Sequence, residues 1–399
     1  CEVAYSLKEI KKEKRINRYA ENSVLSTGTW YKMSLASTGI YKLTYSDLVS
    51  MGINVSSLNP KNIRLFHNGG GVLPVFNREF RHDDLVEIPI YVHGESDGAF
   101  DENDYILFYG RGPWVWEYSN TYNVFEQVHN PYDDYSYVFM TIDNGYGKRI
   151  QKAEQVTGNA DVVVDEFMDY KIINDDKVNL NNMGSTWYSD DFNAVTQRSY
   201  DFSFPNIIKE RQSVIEVDVA SRNFSTAAFS IKVNNNQIYN LNFDKINGQY
   251  KYAHQKSTGK VKFYPSQNDL KVDMQYIKSS SSSIGWLNYI SINAWRELSF
   301  VGNMMSFRNP ECNSTGLKYQ YQIKNAPSSL MVWDVTNPLE PKEIQLQYGS
   351  NLASFMTQGT ACGEYIAFNG ASYKAVGSKY AVANQNLHAN YDFDYLIIT

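Results

Sequence analysis

Thiols, clustered carboxylates and a pair of tryptophans are the side chains of this 399-residue chain whose types and spacing could do chemistry. A cysteine attacks a carbonyl or binds a metal only as the thiolate, which needs a neighbouring histidine, cation or metal. Cys312 lies in NPECNSTG and Cys362 in GTACGEY, both turn-like, without a histidine close in sequence and outside any CxxC pair. Nucleophilic catalysis and metal ligation are therefore disfavoured, and in an exported chain the expected product is a Cys312–Cys362 disulfide. The run from Asp97 to Asp104 gathers hard oxygen donors around Gly98. Asp97, Asp101 and Asp104 would be the ligands of a calcium ion, although the spacing departs from an EF-hand and such runs also make ordinary turns. The adjacent acids Asp83-Asp84 and Asp133-Asp134 would point to opposite faces of a strand, which argues against a paired general acid and base. His67-Asn68-Gly69-Gly70-Gly71 lacks the Lys and Ser/Thr of a P-loop and the GxGxxG spacing, so its glycines are expected to serve a tight connection at positive φ. Trp114 and Trp116 in GRGPWVW, followed by Tyr118, Tyr122, Tyr132, Tyr135 and Tyr137, could form a platform that stacks on sugars or receives a protein. Core or interface packing is the competing use of the same rings.

These residues must be positioned by strands. The chain holds 31 Tyr, 20 Phe and 7 Trp, together 15% aromatic, and such residues suit a pleated, half-buried surface. The formal charge of −6 comes from interspersed acids and bases with no basic stripe, so nucleic acid is not an expected partner. No run of about 18 apolar residues exists, so no membrane-crossing helix is expected.

Along the chain, residues 1–22 read as a charged, solvated leader, opening at a Cys1 that could carry a lipid. TWYKMSLA and GIYKLTY read as a hairpin turning at Gly39, and SDLVSMG as a short helix capped by Ser46 and stopped by Gly52. With NIRLFHN, VLPVF, LVEIPIYVHG, DYILFYG and SYVFMTID they compose a mixed β-sheet domain over 23–150. Residues 160–298 contain regularly spaced strands such as RSYDFSF, QSVIEVDVASR, AAFSIKVN, LKVDMQYI and WLNYISINAWREL, the pattern of a jelly-roll-like β-sandwich. Strands over 299–385 either complete that sandwich or form a small third module. Residues 386–399 end in FDYLIIT, an apolar run of the kind buried in a parallel sheet.

SVLSTGTWYKMSLASTGIYKLTYSDLVSMGI at 23–53, IRLFHNGGGVLP at 63–74, DDLVEIPIYVHGESDGAFDENDYILFYGRGP at 83–113, WLNYISINAWREL at 286–298, VWDVTNPLEP at 332–341 and NQNLHA at 384–389 together resemble the N-terminal region of PorU-like sortases, a gingipain-like cysteine peptidase family of the type IX secretion system. The resemblance implies that DYLIIT is the first strand of an α/β peptidase domain whose Cys and His motifs lie beyond Thr399. It implies a non-catalytic, pro-segment-like scaffold at the cell surface, associated with the outer membrane. Its expected partners are its own peptidase domain, a PorV-like outer-membrane protein and the cargo whose C-terminal sorting signals are removed. A free-standing carbohydrate-binding or adhesive β-sandwich is the alternative that the residues leave open.

Overall fold

The computed structural model describes residues 20–389 apart from 77, 144, 183, 249–250 and 360–361. The leader's first nineteen residues, Cys1 and the apolar run 393–399 lie outside the described residues. The fold is mainly β, with 47% strand and 6% helix.

The N-terminal part contains β1 (Trp30–Leu35), β2 (Gly39–Thr44), helix α1 (Tyr45–Ser50), β3 (Arg64–His67), β4 (Val86–Ile88), β5 (Tyr91–His93), β6 (Tyr105–Gly110), β7 (Trp114–Ser119), β8 (Val124–His129) and β9 (Ser136–Thr141). The expected β1–β2 hairpin does not form: β1 pairs with β9, whereas β2 pairs with β6. Both strands are buried on both faces, so they stack in different sheets around a shared core of Met33, Leu35, Leu43, Leu65, Phe108 and Met140. The cap of α1 is Thr44, not Ser46. Its hydroxyl accepts from Asp47 N–H at 3.3 Å while the Asp47 carboxylate accepts from Thr44 N–H at 2.9 Å, a reciprocal box that Ser46, one turn-position inside, cannot make. Gly52, at φ 82, follows the last turn as expected. Strands β7 and β8 form a separate hairpin, with Trp114 opposite His129.

Next come β10 (Gln151–Lys152), β11 (Val162–Val164), β12 (Glu166–Ile173), β13 (Val178–Asn179), β14 (Trp187–Tyr188), β15 (Asp191–Phe192), β16 (Gln197–Ser203), β17 (Ser213–Arg222), β18 (Ala227–Val233), β19 (Asn236–Phe243), β20 (His254–Ser257), β21 (Val261–Phe263), β22 (Asp269–Lys278) and β23 (Ile284–Glu297). One sheet runs β12-β23-β17-β20, with β15 also on β23 and β21 also on β17, and the other runs β16-β22-β18-β19. The chain passes from β15 to β16, β17, the β18–β19 pair, β20–β21, β22 and β23 by crossing between the sheets each time. That succession is a jelly roll. Alternation drives it: along β22 Leu270, Val272, Met274 and Tyr276 are buried between exposed or half-exposed neighbours, and they meet Phe202, Phe229, Leu287 and Ile290 in the sandwich core. Across β12 and β23 the Arg296 guanidinium and Asp169 carboxylate form an ion pair at 2.6 Å, with both side chains almost fully buried.

The remaining strands are β24 (Met304–Arg308), β25 (Lys318–Lys324), β26 (Met331–Asp334), β27 (Lys342–Glu343), β28 (Gln347–Gly349), β29 (Leu352–Gln358), β30 (Glu364–Phe368) and β31 (Lys379–Val382). Two further sheets arise, β10-β27-β26-β30-β24 and β11-β25-β29-β28, packed through Phe307, Tyr321, Val332, Phe355 and Tyr365. Strand β31 returns to the start of the chain, giving a sheet ordered β31-β1-β9-β3-β4. Beyond it Asn386 Oδ1 accepts from Ser23 N–H at 2.8 Å, and Asn384 Nδ2 donates to the carbonyls of Leu25 and Gly28. The β7–β8 hairpin lies on the outer face of the jelly roll, where the Asn293 amide accepts from Phe125 N–H at 2.7 Å and donates to Phe125 C=O at 3.0 Å.

Candidate functional site

The three acids expected to bind calcium do not converge. Asp97 accepts from Ala99 N–H at 3.0 Å, and Asp104 accepts from Asp101 N–H at 2.8 Å. The carboxylates thus serve as turn caps, and among the described residues no group of three or more His, Cys, Asp or Glu is arranged to hold a metal ion. Gly94 is required here by closeness: a Cβ on it would stand 1.7 Å from Asp104 Oδ1.

Cys312 and Cys362 are both free, and no bond joins them in this structure. The Cys312 thiol meets the Tyr321 hydroxyl instead. Burial pushes Cys312 and Cys362 each up to about 11, so both are neutral thiols at ordinary pH, and no histidine is among the groups that perturb them. His67 is buried with its Nδ1 3.0 Å from Tyr137 O. The glycines after it take φ of 93, 68 and 69, as expected, and a Cβ on Gly70 would stand 2.8 Å from Arg111 O.

Trp114 and Trp116 do not form an open platform. Trp114 stacks on His129 with ring centroids 3.6 Å apart, and Trp116 meets Tyr170 edge-on at 5.4 Å. Their remaining surfaces wall a cleft of about 270 Å³ where β7 faces the β1–β2 corner, β24 and β30. The polar groups brought to it are Arg111, Arg308, Glu364 and the hydroxyls of Ser37, Thr38 and Ser306. Arg308, only 8% exposed, is ion-paired with Glu364 and donates from Nη1 to Trp116 O at 2.9 Å, while its Nε–H has no acceptor. Glu364 is held from a second side by the Tyr109 hydroxyl, which burial first and that carboxylate next push far above its ordinary value. Lys374 donates to Ser37 Oγ at 2.8 Å, and burial lowers its pKa. Arg111 has no carboxylate partner among the described residues, so the cleft carries an excess of positive charge.

Sequence reasoning reached the tryptophans but missed Arg308 and Glu364. Arg111, three residues before Trp114, was the available local signal. Arg308 and Glu364 arrive from strands far along the chain, and nothing near them in sequence marks them.

No protein-family model and no curated protein matches this chain. Among solved structures it is similar to dimeric latent PorU from Porphyromonas gingivalis, with a TM-score of 0.80 and 21% identity, over 94% of this chain and 35% of that one. The CBM36-1 domain of a multidomain xylanase from the hindgut metagenome of Trinervitermes trinervoides covers 32% of this chain and 95% of its own, at 11% identity and a TM-score of 0.21. A carbohydrate-binding module CBM36 in complex with calcium and xylotriose covers 32% of this chain and 99% of its own, at 16% identity and a TM-score of 0.20. Likenesses that slight carry no argument. Over nearly its whole length the chain has the fold of a part of latent PorU, a part that amounts to 35% of that protein chain.

Proposed function

We propose that this chain is the non-catalytic, β-rich N-terminal region of a PorU-like cysteine endopeptidase and transpeptidase that removes C-terminal sorting signals from type IX secretion cargo. The observation that carries the reading is the shared fold over 94% of this chain against 35% of the larger protein. Protonated thiols support the non-catalytic part, because a cysteine held at about 11 offers almost no thiolate at neutral pH. On this reading the chain is a scaffold beside its own peptidase domain, exposed at the cell surface, in contact with a PorV-like outer-membrane protein and with cargo. The stacking of Trp114 on His129 and the edge-on packing of Trp116 with Tyr170 weaken support for the adhesive alternative, since the stacked Trp114 ring offers one face fewer to a sugar.

The test is the mass of the native protein in outer-membrane extracts, detected with an antibody raised against this chain. The proposal expects a band well above 45.8 kDa, accompanied by cysteine-peptidase activity that the isolated chain lacks. A native band at 45.8 kDa in every fraction rejects it.

A further inference from the structure

We propose that the cleft between β7, β24 and the β1–β2 corner binds a small carboxylate carried on a flat or apolar body. This goes beyond the function proposed above and does not depend on it. The cleft is about 270 Å³, near the small end of ligand pockets and suited to a group the size of one amino-acid residue.

Charge selects the ligand's sign and its valence. Arg308 is neutralised by Glu364, whereas Arg111 is not neutralised by any carboxylate among the described residues. One unbalanced guanidinium lines the cleft beside a carboxylate that repels further negative charge, and the Lys374 ammonium behind Ser37 does not line it and has its charge disfavoured by burial, so a monoanion fits better than a phosphate dianion. A guanidinium presents its N–H groups in a planar fork that matches a carboxylate in two parallel hydrogen bonds. Ser37 adds a donor: its Oγ already accepts from Lys374, which leaves its own hydrogen free for an incoming oxygen. Val115 and the outward parts of Trp114 and Trp116 supply the apolar wall, so the body behind the carboxylate should be flat or aliphatic. The unaccepted Nε–H of Arg308 shows that the protein alone does not satisfy every donor of this cluster.

Such a carboxylate could belong to a free small molecule or to the end of a peptide, and the experiment separates the two. The purified chain is titrated calorimetrically with phenylacetate, N-acetyl-phenylalanine and N-acetyl-phenylalaninamide, in wild type and in Arg111→Met. Saturable binding of either acid, weakened at least about tenfold for the amide and in the variant, is the expected result, since losing one charge-assisted pair costs of that order. Tighter binding of the acetylated amino acid identifies a peptide end, and equal or tighter binding of phenylacetate identifies a free acid. No saturable binding of either acid at millimolar concentration, or an amide that binds as well as its acid, overturns the proposal. The amide comparison uses only wild-type protein, so it decides the question even if Arg111→Met folds poorly.

Discussion

A buried histidine makes this protein's stability depend on pH in a defined direction. Burial pushes His67 down from its ordinary 6.5 to about 4, so the folded protein holds it neutral where the unfolded chain would take up a proton. The unfolded state binds more protons between those two values, so the stability contributed is complete above about pH 6.5 and is lost as pH falls toward 4. The loss from this group should reach about 2 kcal/mol by pH 5. Urea midpoints at pH 7 and pH 5 should therefore fall further for the wild type than for His67→Gln; parallel falls would remove His67 as the cause. At this scale the sequence was partly legible. The glycines after His67 announced positive φ because a run of three glycines suits a tight connection, whereas the expected Cys312–Cys362 bond is absent here, since pairing cannot be read from the spacing of two Cys residues. The calcium expectation failed because a run of acids looks the same whether its carboxylates face an ion or, like Asp97 and Asp104, cap their own turn.

Elements differed in how openly they declared themselves. The jelly roll was legible because strands such as β22 alternate buried and exposed residues over ten positions, a pattern no helix can satisfy. β1 and β2 do not alternate, and a turn signal between two such strands marks a change of direction without saying whether they pair or stack. The start of α1 was misplaced by two residues because by type alone Ser46 is a somewhat better cap than Thr44; Asp47, three residues after Thr44, decides for Thr44. Thr44→Ala should cost about 1 kcal/mol in a denaturant titration and Ser46→Ala about half of that or less. A larger loss from Ser46→Ala would contradict the observed cap.

At the scale of the whole molecule, the first sheet is completed from the far end of the chain. A four-residue strand with half its residues exposed leaves almost no trace in sequence, so the return of β31 was not foreseen. Removing everything after Gly377 deletes β31 and the Asn384 and Asn386 contacts, and bares the β1 edge. That truncated chain should melt lower by roughly 5 °C or more and self-associate in size-exclusion chromatography, because an unpaired strand edge recruits other edges. An unchanged melting point and a monomeric profile would show that β31 is dispensable. The same closure sets an order of assembly. Ser23 and its partner Asn386 are separated by 363 positions, so a chain emerging from the ribosome, or threaded through a membrane, amino end first must expose β1 while the jelly roll is already able to form. The earliest sheet to emerge is the last to be sealed, and any helper that shields a half-finished chain would have its target there.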